Sequence, residues 1–207
     1  MSGQSAPAAP LKPPEQRPEH PHFWDKRFGE GVTPWDAGGA PAAFKAFAAA
    51  RAQPLATLIP GCGCAWEAVH LAKAGWPVTA LDFSSAAIAR ARDIVGAASV
   101  ELLCDDFFTF TPARPYALIY ERAFLCALPR KLWPAWSRRV AELLPPGGLL
   151  AGYFFISDQL KGPPFGILPE QLNDLLAASF TPIENTPASD SLPMFAGREH
   201  WQVWRRG

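Results

Sequence analysis

Residues 57–84, TLIPGCGCAWEAVHLAKAGWPVTALDFS, place two apolar runs on either side of a glycine-containing turn and a segment of helix formers. The first run predicts a strand over 56–59, and the following segment, 65–74, predicts a helix. A second strand is expected to end beside Asp82, which stands 21 positions after Gly61 in the turn. This order of strand, glycine turn, helix, strand and acid is typical of a nucleotide-binding unit.

The residue types in this unit suit the binding of a nucleoside cofactor. Gly61 and Gly63 allow the backbone to approach a ligand at the N-terminus of the following helix. A carboxylate at the end of the second strand, here Asp82, can accept hydrogen bonds from both ribose hydroxyls. A glycine pattern alone is a weak signal, but the acid at the expected offset of about 20 residues strengthens it.

Length and composition narrow the class of protein. The 207 residues suit one domain, and the 19 basic and 19 acidic residues give no net charge that would favour nucleic acid or an anionic membrane. We expect a small-molecule partner and a monomer. The four cysteines show no spacing of a disulfide framework, which favours a cytoplasmic location, and no apolar run approaches the roughly 20 residues of a membrane span.

The N-terminus differs in composition from the rest of the chain. Its first 19 residues are rich in proline, alanine and polar groups, without the apolar centre of a secretory signal. We predict a disordered N-terminal tail over residues 1–22 and a single domain over residues 23–207.

Alternating strand and helix signals continue along the chain and define the fold class. They predict an α/β, Rossmann-like, doubly wound fold: a mainly parallel seven-stranded sheet with an antiparallel edge strand and helices on both faces. Ligands of such sheets bind outside the carboxyl ends of the strands. The seven strands are expected at 56–59, 77–81, 99–103, 116–120, 149–156, 181–185 and 200–205. A helix is expected over 85–95 with Ser84 as its N-cap, and a loop is expected over 157–166 after the fifth strand.

With these elements in place, the chain resembles a class I S-adenosylmethionine-dependent methyltransferase. The motifs that carry this resemblance are Pro60-Gly61-Cys62-Gly63, Leu81-Asp82-Phe83-Ser84 and Pro145-Pro146-Gly147-Gly148. More narrowly, several segments are similar to the thiopurine methyltransferase family and its halide/thiol methyltransferase relatives, and this similarity covers nearly everything from Phe23 onward. Those segments are Trp24 to Trp35-Asp36, Asp106-Phe107-Phe108, Glu121-Arg122-Ala123, Cys126-Ala127-Leu128 and Gly162-Pro163-Pro164-Phe165.

The resemblance implies how S-adenosylmethionine would be bound. Gly61 would let the backbone approach the methionine moiety, and Asp82 would bind the ribose hydroxyls. Asp106 would accept from the adenine amine, while Phe107 would offer its backbone N–H to a ring nitrogen. The same family pattern implies that Trp24 and Trp35 close over the methionine and its sulfonium, which an aromatic face attracts.

An acid and an arginine follow the fourth predicted strand. The resemblance places Glu121 beside the cofactor and Arg122 beside cofactor and acceptor, so Arg122 is the catalytic candidate. Its guanidinium would hold either an anionic acceptor or the cofactor carboxylate. Arg122 is typical of the thiopurine side of the family, whereas Asp82 and residues 31–36 and 162–165 resemble the halide/thiol side, so the subfamily stays open.

The positions of the histidines indicate which kind of acceptor to expect. None of them falls in a predicted acceptor loop, so no general base is evident. This favours a small soft nucleophile that is anionic or easily ionised: a thiol or thiopurine, a halide, or a selenium or tellurium oxyanion. The four histidines are His20, His22, His70 and His200.

Simpler roles and other functions remain open for several of these residues. Trp24 and Trp35 also suit core packing, Asp106 suits a turn, and Arg122 suits an ion pair with Glu121 or Asp106. Cys62 and Cys64 lack the further ligands that a metal site needs, so no metal is expected.

Two alternative functions remain. An NAD(P)-dependent oxidoreductase would share the glycine turn and the acid, but Trp66 occupies the position where a dinucleotide fingerprint has its third, small residue. A non-catalytic S-adenosylmethionine-binding protein would share the whole cofactor site. Turnover of the cofactor would distinguish the methyltransferase from both.

Overall fold

The structure, a computed structural model, describes residues 12–207. Residues 1–11 of the predicted tail lie outside the described residues. The folded part begins earlier than the predicted boundary at residue 23, because Pro14–Gln16 form a 3₁₀ turn and helix α1 spans Pro21–Glu30. Proline suits the first turn of a helix because its missing N–H has no partner there. The chain from residue 14 onward therefore belongs to the folded domain.

Seven strands form one sheet in the order β3-β2-β1-β4-β5-β7-β6. All neighbouring pairs are parallel except those of β7, which runs antiparallel to both β5 and β6. The predicted sheet is confirmed, with the antiparallel strand next to the outermost one. The strands are β1 (Thr57–Pro60), β2 (Val78–Asp82), β3 (Val100–Cys104), β4 (Leu118–Arg122), β5 (Leu149–Phe155), β6 (Phe180–Pro187) and β7 (Glu199–Arg206).

Helices cover both faces of this sheet. They are α2 (Ala42–Ala49), α3 (Trp66–Lys73), α4 (Ser85–Val95), α5 (Trp133–Leu143) and α6 (Pro169–Leu176). Successive strand residues point to opposite faces, so Ile119 packs in the core under α5 and α6, whereas its neighbours Leu118 and Tyr120 pack under α2, α3 and α4. Within residues 12–207 no helix is long and apolar enough to cross a membrane.

The strand order reverses between β1 and β4, which opens a crevice at the carboxyl ends of these strands. Helix α4 starts at this edge, where Ser84 Oγ accepts from the Ala87 N–H at 3.1 Å as the predicted N-cap. Asp25 of α1 accepts from Ser84 Oγ at 2.7 Å and from the Ala86 N–H at 3.1 Å. These bonds fix α1, which carries Trp24, beside the crevice.

Candidate active site

A cavity of about 690 Å³ lies at the carboxyl ends of the parallel strands. Helix α1, the glycine turn after β1, and the segments that follow β2, β3, β4 and β5 all contribute to its walls. Seven of the eight predicted site residues line it, and Glu121 does not. The seven are Trp24, Trp35, Gly61, Asp82, Asp106, Phe107 and Arg122.

The glycine turn after β1 forms one wall of the cavity. Gly61 has a φ of 60° and Gly63 a φ of 51°, in the left-handed region that favours glycine. A Cβ atom at Gly61 would also overlap the ring of Phe124. Gly61 is therefore required by its conformation and by the aromatic ring against it.

Asp82 ends β2 and is only 8% exposed. Its Oδ2 accepts from the Gly63 N–H at 3.1 Å, and its Oδ1 accepts from the Ser84 N–H at 2.9 Å. Burial raises the pKa of Asp82 to about 6, although these N–H groups favour the charged form. Each carboxylate oxygen keeps a further lone pair, so the group can still accept from a ribose hydroxyl.

Asp106 and Phe107 lie in the turn that follows β3. Asp106 Oδ1 accepts from the Phe108 N–H at 2.9 Å, which leaves Oδ2 without a donor among residues 12–207. The Phe107 N–H likewise has no protein acceptor in that range, although the residue is only 4% exposed. One acceptor and one donor therefore lie beside the cavity, as the predicted contacts to an adenine ring require.

Trp24 and Trp35 form an aromatic wall. Their rings meet edge to face at 5.4 Å between centroids, and Phe28 packs against Trp35 at 5.9 Å. Trp24 Nε1 donates to the Pro18 carbonyl at 2.8 Å, which ties the segment before α1 to the same wall. The two tryptophans thus pack on each other and also line the cavity.

Arg122 ends β4 and makes an ion pair that the sequence did not predict. Its Nη1 lies 3.2 Å from Oε1 of Glu67, in the first turn of α3, and Tyr120 Oη donates to the same oxygen at 3.4 Å. The side chains of Arg122 and Glu67 are only 9% and 12% exposed. Burial raises the pKa of Glu67, and the charge of Arg122 opposes that shift. The simpler role considered for Arg122, an ion pair with Glu121 or Asp106, is not what the described residues show, because its partner is Glu67.

Glu121 was predicted beside the cofactor, and the structure places it elsewhere. It is 2% exposed, and its carboxyl accepts from the N–H groups of Phe124 and Leu125 at 3.2 and 3.1 Å. Burial raises its pKa to about 8. Neighbouring residues of a strand point to opposite faces, so Glu121 and Arg122 cannot both face the cavity. Glu121 instead holds the turn that carries Phe124.

The remaining wall of the cavity is mainly apolar. Its residues come from the turn after β4, from the predicted loop after β5 and from the loop between β6 and β7, which sequence reasoning missed. No histidine of the described chain lines the cavity. This wall is formed by Cys126, Leu128, Pro163, Pro164, Met194 and Phe195.

The order of the strands, the glycine turn and the acid at the end of β2 are together typical of a fold that binds a nucleoside cofactor. The family model of thiopurine S-methyltransferase (TPMT) matches residues 19–207. The chain belongs to the thiopurine S-methyltransferase family. As a member of this family it is an S-adenosylmethionine-dependent methyltransferase, and the predicted enzyme class and cofactor are confirmed.

Relatives in this family act on sulfur nucleophiles according to their names. Thiocyanate methyltransferase 1 of Arabidopsis thaliana is 29% identical over 190 residues, which cover 88% of this chain and 84% of that protein. Probable thiol methyltransferase 2 of the same plant is 31% identical over 159 residues, which cover 74% of this chain and 70% of the relative.

A solved structure of another methyltransferase has the same fold. The 1,6-didemethyltoxoflavin-N1-methyltransferase of Burkholderia thailandensis, with bound 1,6-didemethyltoxoflavin and S-adenosylhomocysteine, matches with a TM-score of 0.74. The match covers 96% of this chain and 92% of the other, at 18% identity. At that identity the likeness shows the shared fold.

Proposed function

We propose that this methyltransferase transfers its methyl group to a small, soft, anionic nucleophile of the thiol or thiocyanate kind. The observation that carries the proposal is the buried guanidinium of Arg122 at the edge of a mainly apolar wall. Arg122 uses Nη1 on Glu67, and no acceptor among residues 12–207 takes its other N–H groups. These groups are available to an anion in the cavity.

The cofactor would lie along the wall formed by the glycine turn, Asp82 and the turn after β3. Asp82 would accept from the ribose hydroxyls, and the Phe107 N–H and Asp106 Oδ2 would meet the adenine ring. Trp24 and Trp35 would close over the methionine and sulfonium, where an aromatic face contributes roughly 0.5–2 kcal/mol to binding a cation. The available hydrogen-bonding groups at Asp106 and Phe107 support this placement.

When bound, S-adenosylmethionine supplies a methyl group on a positively charged sulfur, and the electron pair of the broken bond stays on that sulfur. The protein's contribution is to align the nucleophile with that bond in line and to exclude water. The apolar wall around Cys126, Met194 and Phe195 would exclude water from the acceptor. Arg122 would hold the nucleophile as an anion.

A general base is not required for such an acceptor. A thiol has a pKa of about 8.5, so part of it is already a thiolate near neutral pH, and thiocyanate and halides carry no proton to remove. The absence of histidine from the cavity within the described chain agrees with this chemistry. An oxygen or nitrogen acceptor would more often need a base.

The oxidoreductase alternative is disfavoured by Trp66 as well as by family membership. Its side chain lines the cavity beside the glycine turn, and its Nε1 donates to Asp36 Oδ1 at 2.8 Å. A bulky side chain there occupies space that a dinucleotide pyrophosphate would need.

Calorimetry on Arg122→Ala tests the proposal. Titration with S-adenosylmethionine, and then with thiocyanate in the presence of S-adenosylhomocysteine, should show retained cofactor binding and at least about tenfold weaker anion binding, since a charge-assisted hydrogen bond contributes about 1.5–3 kcal/mol. Arg114→Ala is the matched control, because Arg114 pairs with Glu101 at 3.5 Å outside the cavity. Unchanged affinity for both ligands in Arg122→Ala would remove Arg122 from the site.

A further inference from the structure

Two buried side chains of opposite charge meet in the wall of the cavity. Arg122 reaches it from the end of β4, and Glu67 reaches it from the first turn of α3. The N···O distance of 3.2 Å makes them a close ion pair, and both side chains are about nine-tenths buried. The positive charge offered to an incoming anion is therefore largely neutralised before the anion arrives.

A further buried carboxyl group acts on Arg122, although burial raises the pKa of that carboxyl. Glu199 of β7 is 3% exposed, and both it and Glu67 favour the charged form of Arg122. Arg122 thus offers directional N–H donors within a site that carries little or no net positive charge.

Such a site discriminates among anions by their charge. An anion that enters the cavity loses hydration, and the loss is greater for a dianion than for a weakly hydrated monoanion. Only excess positive charge in the site could compensate a dianion, and Glu67 removes that excess. The N–H donors of Arg122, in an ion pair that carries no net charge, therefore favour soft monoanions over dianions.

We propose that Glu67 is a specificity-determining residue that restricts the acceptor to monoanionic nucleophiles by neutralising Arg122. The inference rests on the proposed function and narrows its substrate class. It excludes thiolates that carry a second negative charge and doubly charged oxyanions. Glu67 would act through Arg122, as a positioning and charge-setting group, without contact to the transferred methyl.

Two thiols that differ by one charge test this directly. The thiolates of 2-mercaptoethanol and mercaptoacetate attack with the same sulfur, and each gives a methyl thioether and S-adenosylhomocysteine. The thiol proton is released to solvent beforehand, so only mercaptoacetate brings a second negative charge. In the native enzyme kcat/KM per thiolate should be at least about tenfold higher for 2-mercaptoethanol than for mercaptoacetate. The second negative charge would lie a few ångströms from Glu67, and repulsion at that distance is large enough to lower the rate by about tenfold or more.

The variant Glu67→Gln removes the charge and keeps an amide oxygen that Arg122 and Tyr120 can use. In this variant kcat/KM for mercaptoacetate should rise, because the repulsion from Glu67 is removed. The ratio of kcat/KM between 2-mercaptoethanol and mercaptoacetate should therefore fall at least about tenfold. Glu67→Asp keeps the charge and should keep the discrimination. Glu142→Gln is the matched control, since Glu142 pairs with Arg139 at 3.3 Å outside the cavity.

The outcomes are distinct from those that test the proposed function. Equal kcat/KM values per thiolate for the two thiols in the native enzyme would overturn the inference. This result needs no variant, so the test holds even if Glu67→Gln does not fold. An equal loss for both thiols in Glu67→Gln would make Glu67 merely structural. If neither a thiol nor thiocyanate is turned over, the proposed function fails. Calorimetric binding of the two thiols to the S-adenosylhomocysteine complex would then still measure the charge selectivity.

Discussion

Replacing Gly61 with alanine should have two costs, the strain of the backbone conformation and a steric overlap in the cavity. Gly61 has a φ of 60°, where an L-residue costs roughly 1–2 kcal/mol. The new Cβ would in addition overlap the ring of Phe124, and displacing a packed side chain costs about 1–3 kcal/mol. Gly61→Ala should therefore lower the free energy of unfolding by about 2–5 kcal/mol.

Gly75→Ala supplies the matched control for this prediction. Gly75 has a φ of 79°, and a Cβ there meets nothing within 4 Å. It should show only the conformational cost of roughly 1–2 kcal/mol and bind the cofactor normally. Gly61→Ala should also weaken cofactor binding, because Phe124 is displaced in the cavity wall. The double variant Gly61→Ala/Phe124→Ala should recover part of that affinity, because the overlap is then removed.

Urea unfolding and calorimetric titration with S-adenosylhomocysteine measure the two effects. Gly61→Ala should lose stability and cofactor affinity together, whereas Gly75→Ala should lose stability alone. If both variants lost the same stability and bound the ligand equally well, the close approach between Gly61 and Phe124 would have no part in the site.

Two further predictions concern buried carboxyl groups. Because the Asp82 carboxylate would accept from ribose hydroxyls and its pKa is about 6, affinity for S-adenosylhomocysteine should fall as pH drops below about 6. Asp82→Asn should bind weakly at every pH, and calorimetry that finds the native pH dependence intact in this variant would exclude Asp82 as its source. The folded-state pKa of Glu121, about 8, is raised above the ordinary value of 4.5, so the unfolded chain ionises first and the free energy of unfolding should fall as pH rises through that window. Glu121→Gln should remove this part of the pH dependence in urea unfolding, and an unchanged profile would show that Glu121 is not its origin.

The sequence predicted the elements whose signals are local. Helix α4 was expected over 85–95 and spans Ser85–Val95, because Ser84 caps it and a glycine follows it. The strands were found within a few residues of their predicted positions, since apolar runs between turn residues identify buried strands. Gly61 and Asp82 both line the cavity, and a short, well-defined spacing made this neighbourhood predictable, while their roles in cofactor binding stay predictions.

The sequence failed where the outcome depends on contacts between distant segments. Glu67 and Arg122 lie 55 positions apart, and only the packing of α3 against the end of β4 brings them together. Met194 and Phe195 reach the cavity from a loop with no distinctive pattern. Glu121 was expected beside the cofactor together with Arg122, but it does not line the cavity, and the alternation of side chains along a strand contained that signal.

The start of the folded domain was also missed for a reason of this kind. Glu19 lies in a segment whose composition is typical of disorder, yet its carboxylate accepts from Lys131 Nζ at 2.8 Å. Lys131 is 112 positions further along the chain, so the tie has no local signature. Amino-acid composition predicts how unfavourable it is to order a segment. It contains no information about a residue far along the chain that can bind the segment.

Methyl transfer to a soft anion is tested most directly by product analysis with S-adenosylmethionine labelled in the methyl group and 2-mercaptoethanol as acceptor. The native enzyme should form labelled methyl thioether and S-adenosylhomocysteine in equal amounts, and Arg122→Ala should form much less of both. Tight binding of S-adenosylhomocysteine without labelled product from this thiol, thiocyanate or iodide would contradict methyl transfer to a soft anion.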